Sequence, residues 1–591
     1  MKRQPYPVAQ LTGGLDVSVD AIFLVDKASP YLRNVRFDKG LIKKGVGFAG
    51  FGTGLPLDGT VMLIDSFPLE GGTVHTLIVT TKWVYRYIST SNSYEKKNPL
   101  ASFTGDEDNQ FSSVVTGKAV AGSWQDLFIL TNGKDKIQKW VGTDADFADL
   151  GGWTTAPTLA KSLAVFRSRL IGGFTVDAGT ICPRRVQWSI AGDPEDITGT
   201  GSGFVDLVET SDWVVTLALL KNKLYIFKER SIWELPYVGG TDVFGTPVLK
   251  IEGVGTFSPG SIVNLGEELL FYGTDNIYLY DGLDLVSIGK NIYSYLYETE
   301  KRVVNAAKAN RVPSAYIEEL KSYQICLPSK ASEVPDLLAE YNFDAQSWTL
   351  RDKEITAFGF YTVPSVLTWA DLVGPWKATT GAVALTFDAS AKTIKRGDTG
   401  SFITDGFTAK CKVKTTADLN PGPFTVATDG VAASVLTLDD TPVNEGPVTK
   451  IATSEQDWAW MEKALPTGAP TTLIGDSGGY VYEDDRITKS ADYMCFETKD
   501  WMFQHNQRLT EFHIQAKGGP FNCYYSLDQG LTWSPVKTFA VSTDWTEYVW
   551  WLNFTCQHIR LRIESYAEDF EIKWIEPWYI PRVRSKSLST S

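Results

Sequence analysis

One hairpin pattern recurs through the middle of this sequence of 591 residues. In each copy an apolar strand leads through a turn of Gly, Asn or Asp into a second strand that ends near Trp or Tyr. The copies are TLIVTTKWVYRYI (76–88), LFILTNGKDKIQKWV (127–141), RLIGGFTV…RRVQWSI (169–190), KLYIFKERSIWELP (223–236), LLFYGTDNIYLYDG (269–282), LLAEYNFDAQSWTLRD (337–352) and TTLIGDSGGYVYEDD (471–485). The closing residues Trp83, Trp140, Trp188, Trp233, Tyr280 and Trp348 are 57, 48, 45, 47 and 68 residues apart. Blades of four strands need about 40–50 residues, so this spacing predicts an all-β chain built on a β-propeller, with a large sandwich of regular hairpins as the alternative.

Two stretches interrupt the repeat and divide the chain. The first 50 residues hold no such hairpin, and between positions 27 and 44 six basic residues face a single acidic one, Asp38. Residues 377–450 are rich in Thr, Ala, Asp and Gly, which predicts an insertion of short polar strands and long loops. From residue 488 apolar and polar residues alternate, as in a sheet with one buried face. We therefore predict an N-terminal docking arm at 1–50, a propeller at 51–365 plus 451–487, an insertion at 366–450 and a C-terminal β-sandwich at 488–591.

One helix is expected in this β-rich chain. In residues 293–309 apolar side chains return at spacings of three and four, which predicts a helix that stops near Asn310, before the extended Val312-Pro313 step. The last residues, 582–591, are basic and Ser-rich, and they are predicted to be loose.

Charge and composition exclude several classes of function. The chain has 56 basic and 70 acidic residues, a net charge of −14, which argues against tight wrapping of nucleic acid. The first residues lack the apolar core of a signal peptide, and the longest apolar runs are far short of the ~20 residues of a membrane helix, so neither secretion by that route nor membrane insertion is expected. The six cysteines are scattered and the four histidines stand apart from them, which favours free thiols from a reducing cytoplasm and no metal site.

The motif SLDQGLTW (526–533) matches a known turn, the Asp box. Asp528 can accept backbone N–H bonds, Gly530 can take a positive φ, and Trp533 can pack under the hairpin; Ser526 and Thr532 complete the pattern. Because a single copy is found and the box itself is not catalytic, we interpret it as a structural turn rather than as a glycan-related site.

The search for catalytic groups yields none that stands out. Asp193, Glu195 and Asp196 could form the carboxylate pair of a glycosidase, but such residues fit a solvated loop equally well. GTGSGF (199–204) lacks the Lys of a phosphate-binding loop. We therefore expect no enzyme, no catalytic residues and no cofactor.

The start of the chain resembles a family of tailed-phage virion proteins. The matching positions in residues 11–48 are Asn34, Val35, Gly40, Leu41, Lys44, Gly47 and Phe48. Later segments agree in the same order: RRVQWSIAGDPEDIT (184–198), KLYIFKERSIWEL (223–235), residues 255–282 and YNFDAQSWTLRD (341–352). These segments resemble the tail nozzle, hub or stabilisation proteins of short-tailed bacteriophages, whereas residues 365–450 depart from that pattern.

The resemblance implies a structural protein of the virion tail, made in the host cytoplasm. Such subunits form a ring, commonly of six copies, below the portal and adaptor, and their shared axis is the exit channel that retains and releases double-stranded DNA. The acidic net charge suits a wall along which DNA slides without specific binding. In this interpretation the insertion narrows the channel or holds a tail fibre or tailspike, and the arm docks to the adaptor through Arg33, Asn34, Arg36, Lys39, Lys43 and Lys44.

Two other classes of function remain open at this point. A glycan-binding or glycan-cleaving tail component would need a pocket where carboxylates and aromatic rings converge. A cellular propeller scaffold would be a stable monomer that binds a peptide.

Overall fold

The computed structural model describes residues 2–6, 11–38, 40–70, 72–98, 101–120, 123–153, 158–240, 242–362, 379–405, 407, 411–455, 470–489, 492–540, 542–567 and 569–581. Lys39, the tail at 582–591 and the beginning of the predicted insertion therefore lie outside the described residues. The described chain is almost entirely β-structure, as the sequence predicts. Its first strands are β1 (Gln4–Pro5), β2 (Leu32–Arg33), β3 (Val35–Asp38), β4 (Leu41–Lys44) and β5 (Val46–Gly50).

Six four-stranded antiparallel sheets follow one another along the chain. Blades one to three consist of β6 (Val61–Pro68), β7 (Val74–Thr80), β8 (Val84–Ile88), β9 (Ser93–Lys97), β10 (Ser112–Val120), β11 (Ser123–Thr131), β12 (Gln138–Trp140), β13 (Ala148–Asp149), β14 (Leu159–Phe166), β15 (Arg169–Asp177), β16 (Thr180–Trp188) and β17 (Gly203–Asp206). Blades four to six consist of β18 (Val214–Leu220), β19 (Lys223–Lys228), β20 (Ser231–Leu235), β21 (Val248–Glu252), β22 (Val263–Asn264), β23 (Leu269–Tyr272), β24 (Ile277–Tyr280), β25 (Leu285–Ser287), β26 (Ser314–Ile317), β27 (Ser322–Pro328), β28 (Pro335–Asn342) and β29 (Ser347–Asp352).

The rest of the chain completes a seventh blade, a separate barrel and the C-terminal sheets. After β30 (Ala357–Tyr361) come the barrel strands β31 (Thr379–Asp388), β32 (Thr393–Arg396), β33 (Lys412–Thr415), β34 (Phe424–Val431), β35 (Val435–Leu438) and β36 (Glu445–Glu455). They are followed by β37 (Thr471–Gly475), β38 (Val481–Lys489), β39 (Met494–Glu497), β40 (Trp501–Gly518), β41 (Phe521–Ser526), β42 (Lys537–Phe539), β43 (Ser542–Ser565) and β44 (Glu571–Ile580).

The blades form a closed seven-bladed β-propeller. The first strand of each blade contacts the first strand of the next, in the cycle β6, β10, β14, β18, β22, β26, β30 and back to β6. Side-chain hydroxyls join several of these inner strands: Ser66 Oγ donates to Phe360 O at 3.2 Å, and Ser162 Oγ accepts from Leu217 N at 3.1 Å. Between β30 and β6 the strands approach so closely that a Cβ on Gly359 would lie 2.4 Å from Ile64 Cβ. The predicted propeller is therefore confirmed.

The seven predicted hairpins are all present as strand pairs of the propeller. Their closing aromatic residues pack in the cores between blades, and Trp140, Trp233, Tyr280 and Trp348 are buried. Six hairpins are the second and third strands of a blade, but the hairpin at 337–352 is the third and fourth strand of blade six. This shift and the helical segment before blade six explain the long interval of 68 residues between Tyr280 and Trp348.

The predicted helix at 293–309 is wrong for most of its length. The structure has one helical turn, α1 (Tyr293–Leu296), between the 3₁₀ segments Lys290–Ile292 and Ala306–Arg311. Val304 forms a β-bridge with Ser329 and Asn305 N donates to Pro328 O at 2.8 Å. Tertiary pairing with blade six therefore holds the chain extended where its local pattern favours a helix. The remaining 3₁₀ segments are Pro259–Ser261 and Glu318–Leu320.

The described residues among the first 50 pair with later strands of the chain, in contrast to the predicted arm. Strand β5 pairs with β38, as the outer strand of blade seven, so the start of the chain closes the propeller. Strand β2 pairs with β39, and the β3–β4 hairpin pairs with β44. The predicted propeller boundary at 451 also changes, because blade seven resumes at β37.

The C-terminal strands form the predicted sandwich-like arrangement, with β2, β3 and β4 added to it. The long strand β43 joins two groups of these strands. Its first part pairs with β40, and its last residues pair with β39 on one side and β41 on the other. Its core is continuous with that of blades five and six, since Phe512 and Ile563 belong to the same buried cluster as Leu270 and Trp348.

The insertion is a compact domain rather than a set of long loops. Residues 362–470 form their own unit, in which β31, β32, β35, β34, β33 and β36 close into a barrel. Its buried core includes Leu385, Phe402, Val413, Val426 and Leu436. The domain extends beyond both predicted limits, 366 and 450. Its ends were missed because short Thr-rich strands give a weak sequence signal.

Candidate functional site

The basic residues predicted to dock an adaptor make contacts within the chain. Lys44 is 1% exposed, and its Nζ donates to the carbonyls of Tyr566 at 3.0 Å and Ala567 at 3.2 Å. Arg33 pairs with Asp352 at 3.0 Å, and Lys43 pairs with Asp38 at 2.8 Å. Arg36 is partly exposed on β3. A docking role for the exposed members of this set stays a prediction, whereas Lys44 belongs to the interior.

Asn34 joins three parts of the chain. It has a positive φ of 54°, a conformation that Asn tolerates better than most residues. Its Nδ2 donates to Tyr493 O at 2.7 Å, and its Oδ1 accepts from Asp352 N at 2.9 Å. Asn34 therefore holds the N-terminal segment between blade six and the C-terminal sheets, a role that no local sequence signal indicates.

The Asp box forms the predicted turn. Asp528 Oδ1 accepts from Thr532 N at 2.8 Å and from Ser526 Oγ at 2.7 Å, and Gly530 has a φ of 89°. Hydrogen bonds from Thr532, first from its hydroxyl, and from Ser526 lower the pKa of Asp528 to about 2. Trp533 stacks under Arg562, whose Cζ lies 4.0 Å from the ring centre. All these contacts stay inside the turn and the neighbouring strand, as expected of a structural element.

The acidic loop of blade three is likewise structural. Glu195 Oε1 accepts from Lys139 Nζ at 2.6 Å and from Gly151 N at 2.7 Å, and Oε2 pairs with Lys118. Burial alone would raise the pKa of Glu195, but these bonds outweigh it and lower the pKa. Glu195 therefore ties blade three to blade two and is fully occupied by two lysines.

The lateral surface of blades three to five is the first candidate for an interaction. We use this name for Phe204 on β17, Val248 and Leu249 on β21, and Val286 on β25, which are exposed on the outer strands of consecutive blades. Phe204 is 54% exposed and Val286 is 58% exposed. Each outer strand is the last of its sheet, so one edge of its backbone faces outward. Exposed apolar side chains on free strand edges are typical of protein–protein contacts.

The outer strands of the other blades differ in character. In blade one, β9 carries Glu95, Lys96 and Lys97, and in blade two β13 ends on Asp149, which pairs with Lys136 at 2.8 Å. In blade six β29 is almost entirely buried, next to β2 and β3. Apolar exposure on outer strands is thus concentrated on one side of the propeller.

The second candidate is a groove between blades one and two. Its lining residues are Leu69, Val120, Ser123, Trp124, Gln125, Asp126, Val141 and Thr143. Trp124 is half exposed, and Asp126 Oδ2 accepts from Glu70 N at 2.6 Å. The groove lies at the end of the propeller where first and second strands of a blade are joined.

The part of the chain that the structure describes was also compared with the requirements of a metal site, a membrane-spanning helix and a disulfide. There, no three His, Cys, Asp or Glu side chains converge on a position that could hold a metal ion. Within the same residues, helices of the length and hydropathy needed to cross a membrane do not occur. None of the six cysteines forms a disulfide, and all but Cys182 are buried.

The strands of the described chain form a seven-bladed β-propeller, a C-terminal β-sandwich and an inserted barrel. No protein-family model matches the chain, and no curated protein matches it. Among solved structures, Hsv2p of Kluyveromyces lactis is similar over 47% of this chain and 81% of its own, at 12% identity and a TM-score of 0.22. Dihydro-heme d1 dehydrogenase NirN in complex with DHE is similar over 67% of this chain and 76% of its own, at 11% identity and a TM-score of 0.29. Neither similarity bears on function.

Proposed function

We propose that this chain is a structural subunit of a phage tail. Copies of it form a closed ring of the nozzle or hub type below the portal and adaptor, and the ring holds the packaged genome and conducts DNA during ejection. The proposal starts from the sequence resemblance of residues 11–360. It also uses the exposed lateral surface of blades three to five as a contact between copies, and it assigns no enzymatic activity.

The lateral surface of blades three to five is the observation that carries the proposal. A ring needs a contact between two different surfaces of the subunit, repeated until it closes. Phe204, Leu249 and Val286 provide apolar anchors on free strand edges for one half of that contact. The other half must lie elsewhere on the subunit.

The rigidity of the subunit also supports a role in a ring. Propeller, N-terminal segment and C-terminal sheets share one continuous core, so the angle between them does not change freely. A ring closes at a defined copy number only when each subunit keeps a fixed wedge shape. The net charge of −14 is consistent with a channel wall that repels phosphate.

Sedimentation equilibrium of the protein, alone and with the portal–adaptor complex of its own phage, tests the proposal. We expect the adaptor to drive assembly to a small whole multiple of the 65.4 kDa chain, with six copies as the expected number. The variants Phe204→Asp and Leu249→Asp should remain monomeric under the same conditions. A matched control is Leu531→Asp, since Leu531 is 84% exposed but lies on the Asp-box turn. A protein that stays monomeric with the adaptor, or a Phe204→Asp variant that still assembles, would contradict the proposal.

A further inference from the structure

Trp124 is held flat against the neighbouring strand in the groove between blades one and two. In the β10–β11 pair Ala119 lies opposite Trp124 and Gly117 lies opposite Asp126, so the indole reaches diagonally over Gly117. A Cβ on Gly117 would lie 2.5 Å from Trp124 Nε1. Only a glycine leaves room for the ring, which is fixed on one face by backbone and is 53% exposed.

The carboxylate of Asp126 lies on the same face of the blade as this exposed ring. Trp124 and Asp126 point to one face of β11 because side chains two residues apart share a face. That face continues inward to Phe128 and Leu130, which pack against Phe67 of blade one. The hydrogen bond from Glu70 N fixes the Asp126 carboxylate at the inner end of the groove.

We propose that this groove binds a neutral saccharide. A sugar ring has one face of C–H groups, which packs on an indole, and a rim of hydroxyls, which donate to a carboxylate and exchange hydrogen bonds with amides and hydroxyls. Trp124 provides the indole, Asp126 the carboxylate, and Thr143 a hydroxyl among the lining residues. The outward-facing, pre-fixed indole lowers the entropic cost of binding.

The charge of the groove selects among saccharides. None of the described residues that line the groove is basic and Asp126 is acidic, so an acidic sugar or a phosphate would be repelled. Asp126 is also the single carboxylate among the lining residues, whereas glycosidases use two on opposite sides of the bond. The groove is therefore suited to binding without cleavage. This inference does not depend on the proposed ring.

Saturation-transfer NMR on the full-length chain tests the proposal directly. The probes are neutral malto-, cello-, manno- and chito-oligosaccharides, with oligogalacturonate as an acidic comparison. We expect at least one neutral oligosaccharide to bind, oligogalacturonate not to bind, and Trp124→Ala to weaken binding at least about tenfold. Asp126→Asn should also weaken binding. Trp213→Ala is the matched control, because Trp213 is 52% exposed but lies at blade four, and it should leave binding unchanged.

A second variant covers the case in which Trp124→Ala fails to fold. Gly117→Ala keeps the tryptophan but displaces the indole from its platform, so it should also abolish binding while the protein keeps its thermal transition. The proposal is overturned if no neutral oligosaccharide binds, if the Trp124→Ala and Gly117→Ala variants bind as well as the unmodified chain, or if the acidic probe is preferred. Binding of a proline-rich peptide that depends on Trp124, without any binding of sugar, would overturn it in favour of a protein ligand.

Discussion

Arg311 donates a hydrogen bond from Nε to Oδ1 of Asp108 at 2.6 Å, and this contact joins two distant parts of the propeller. Asp108 precedes β10 of blade two, and Arg311 precedes β26 of blade six. The first strands of blades seven and one lie between them, and no two blades in a ring of seven are further apart. The contact therefore spans the propeller at the end of its axis where the first strands begin.

Neighbouring groups strengthen this cross-link. Lys308 Nζ lies 3.2 Å from Asp108 Oδ2, and Asn310 Nδ2 donates to Asp108 Oδ1 at 3.1 Å. The hydrogen bond from Arg311, followed by those from Asn310 and Lys308, holds the pKa of Asp108 well below its usual range. We call this group the axial clamp. It resists separation of the blades by linking two blades that are not neighbours in the ring.

Removing the axial clamp should destabilise the protein in a way that depends on pH. We expect Arg311→Ala to lower the free energy of unfolding by about 1–2 kcal/mol at pH 7, since the Asp108 side chain is 42% exposed and water screens part of the interaction. Because the folded state lowers the pKa of Asp108, its contribution is present above the unfolded value and is lost as the pH falls. Denaturant titrations at pH 7 and pH 3 measure both effects.

The matched control for the clamp is an exposed ion pair. Lys321 lies 3.3 Å from Asp344 and both side chains are mostly exposed, so Lys321→Ala should change stability by less than about 0.5 kcal/mol. An equal loss for Arg311→Ala at both pH values would mean that packing of the guanidinium, and not its charge, is what matters.

Asp65 has the opposite pH dependence. It lies on the inner strand β6, where it accepts from Ser66 N at 2.7 Å and from the hydroxyl of Ser113 on β10. Burial raises the pKa of Asp65 despite these bonds. A carboxyl whose pKa is raised by folding makes the protein less stable as the pH rises through that range.

Asp65→Asn should therefore stabilise the protein at neutral pH. The amide can accept from Ser66 N and donate to the Ser113 hydroxyl, so both bonds survive without a buried charge. We expect a gain of about 1–2 kcal/mol at pH 8 and a smaller gain at pH 4, measured by denaturant titration. A variant that is less stable at both pH values would show that the charge itself is needed between blades one and two.

Substitution of Lys44 tests whether the N-terminal segment has a structural role or a docking role. Lys44→Ala leaves the carbonyls of Tyr566 and Ala567 without this donor, which should cost about 2–4 kcal/mol of unfolding free energy. The exposed Lys134 provides the control, and Lys134→Ala should leave the thermal transition unchanged. If Lys44→Ala instead lost only adaptor binding and kept full stability, the predicted docking role of this residue would be restored.

The inserted barrel should be dispensable for folding of the propeller. Tyr361 and Thr471 lie directly opposite each other in the β30–β37 pair, so a two-residue Asn-Gly turn can replace residues 362–470. We expect the shortened protein to keep its thermal transition and its assembly on the adaptor. In a virion it should cause genome leakage or loss of fibres, as expected if the insertion narrows the channel or holds a fibre.

A matched deletion shows whether the result depends on the blade itself. Removing residues 357–470 also takes away β30, the inner strand of blade seven, and this protein should not fold cooperatively. An infectious virion with the shorter deletion, indistinguishable from the original, would refute the proposed role of the barrel.

Local patterns allowed much of this fold to be predicted. Each hairpin combines an apolar strand, a turn residue and a closing aromatic residue within 13 to 22 residues, and its two strands pair with each other. Trp140, Trp233 and Trp348 are buried in the cores, as their positions in the hairpins indicate. The Asp-box turn was equally accessible, because Ser526, Asp528 and Thr532 bond within seven residues.

Other features have no such local signal. In the sequence, β5 is a short Gly-rich segment. It becomes the outer strand of blade seven by pairing with β38, where Gly50 lies opposite Tyr482. Lys44 looks like any solvated lysine until β4 meets the turn at Tyr566. The helical pattern at 293–309 was misleading because Val304 and Asn305 bond to blade six instead. Trp124 in its groove could be found only once Gly117 was placed beneath it.

The repeating hairpins and their turns follow from the amino-acid sequence alone, because neighbouring residues decide which backbone conformations are favourable. The strands that complete blade seven, the charges that become buried and the apolar side chains that stay exposed are set by the three-dimensional fold. Those outcomes depend on contacts between residues hundreds of positions apart, and they are set by the closure of the ring rather than by any segment alone.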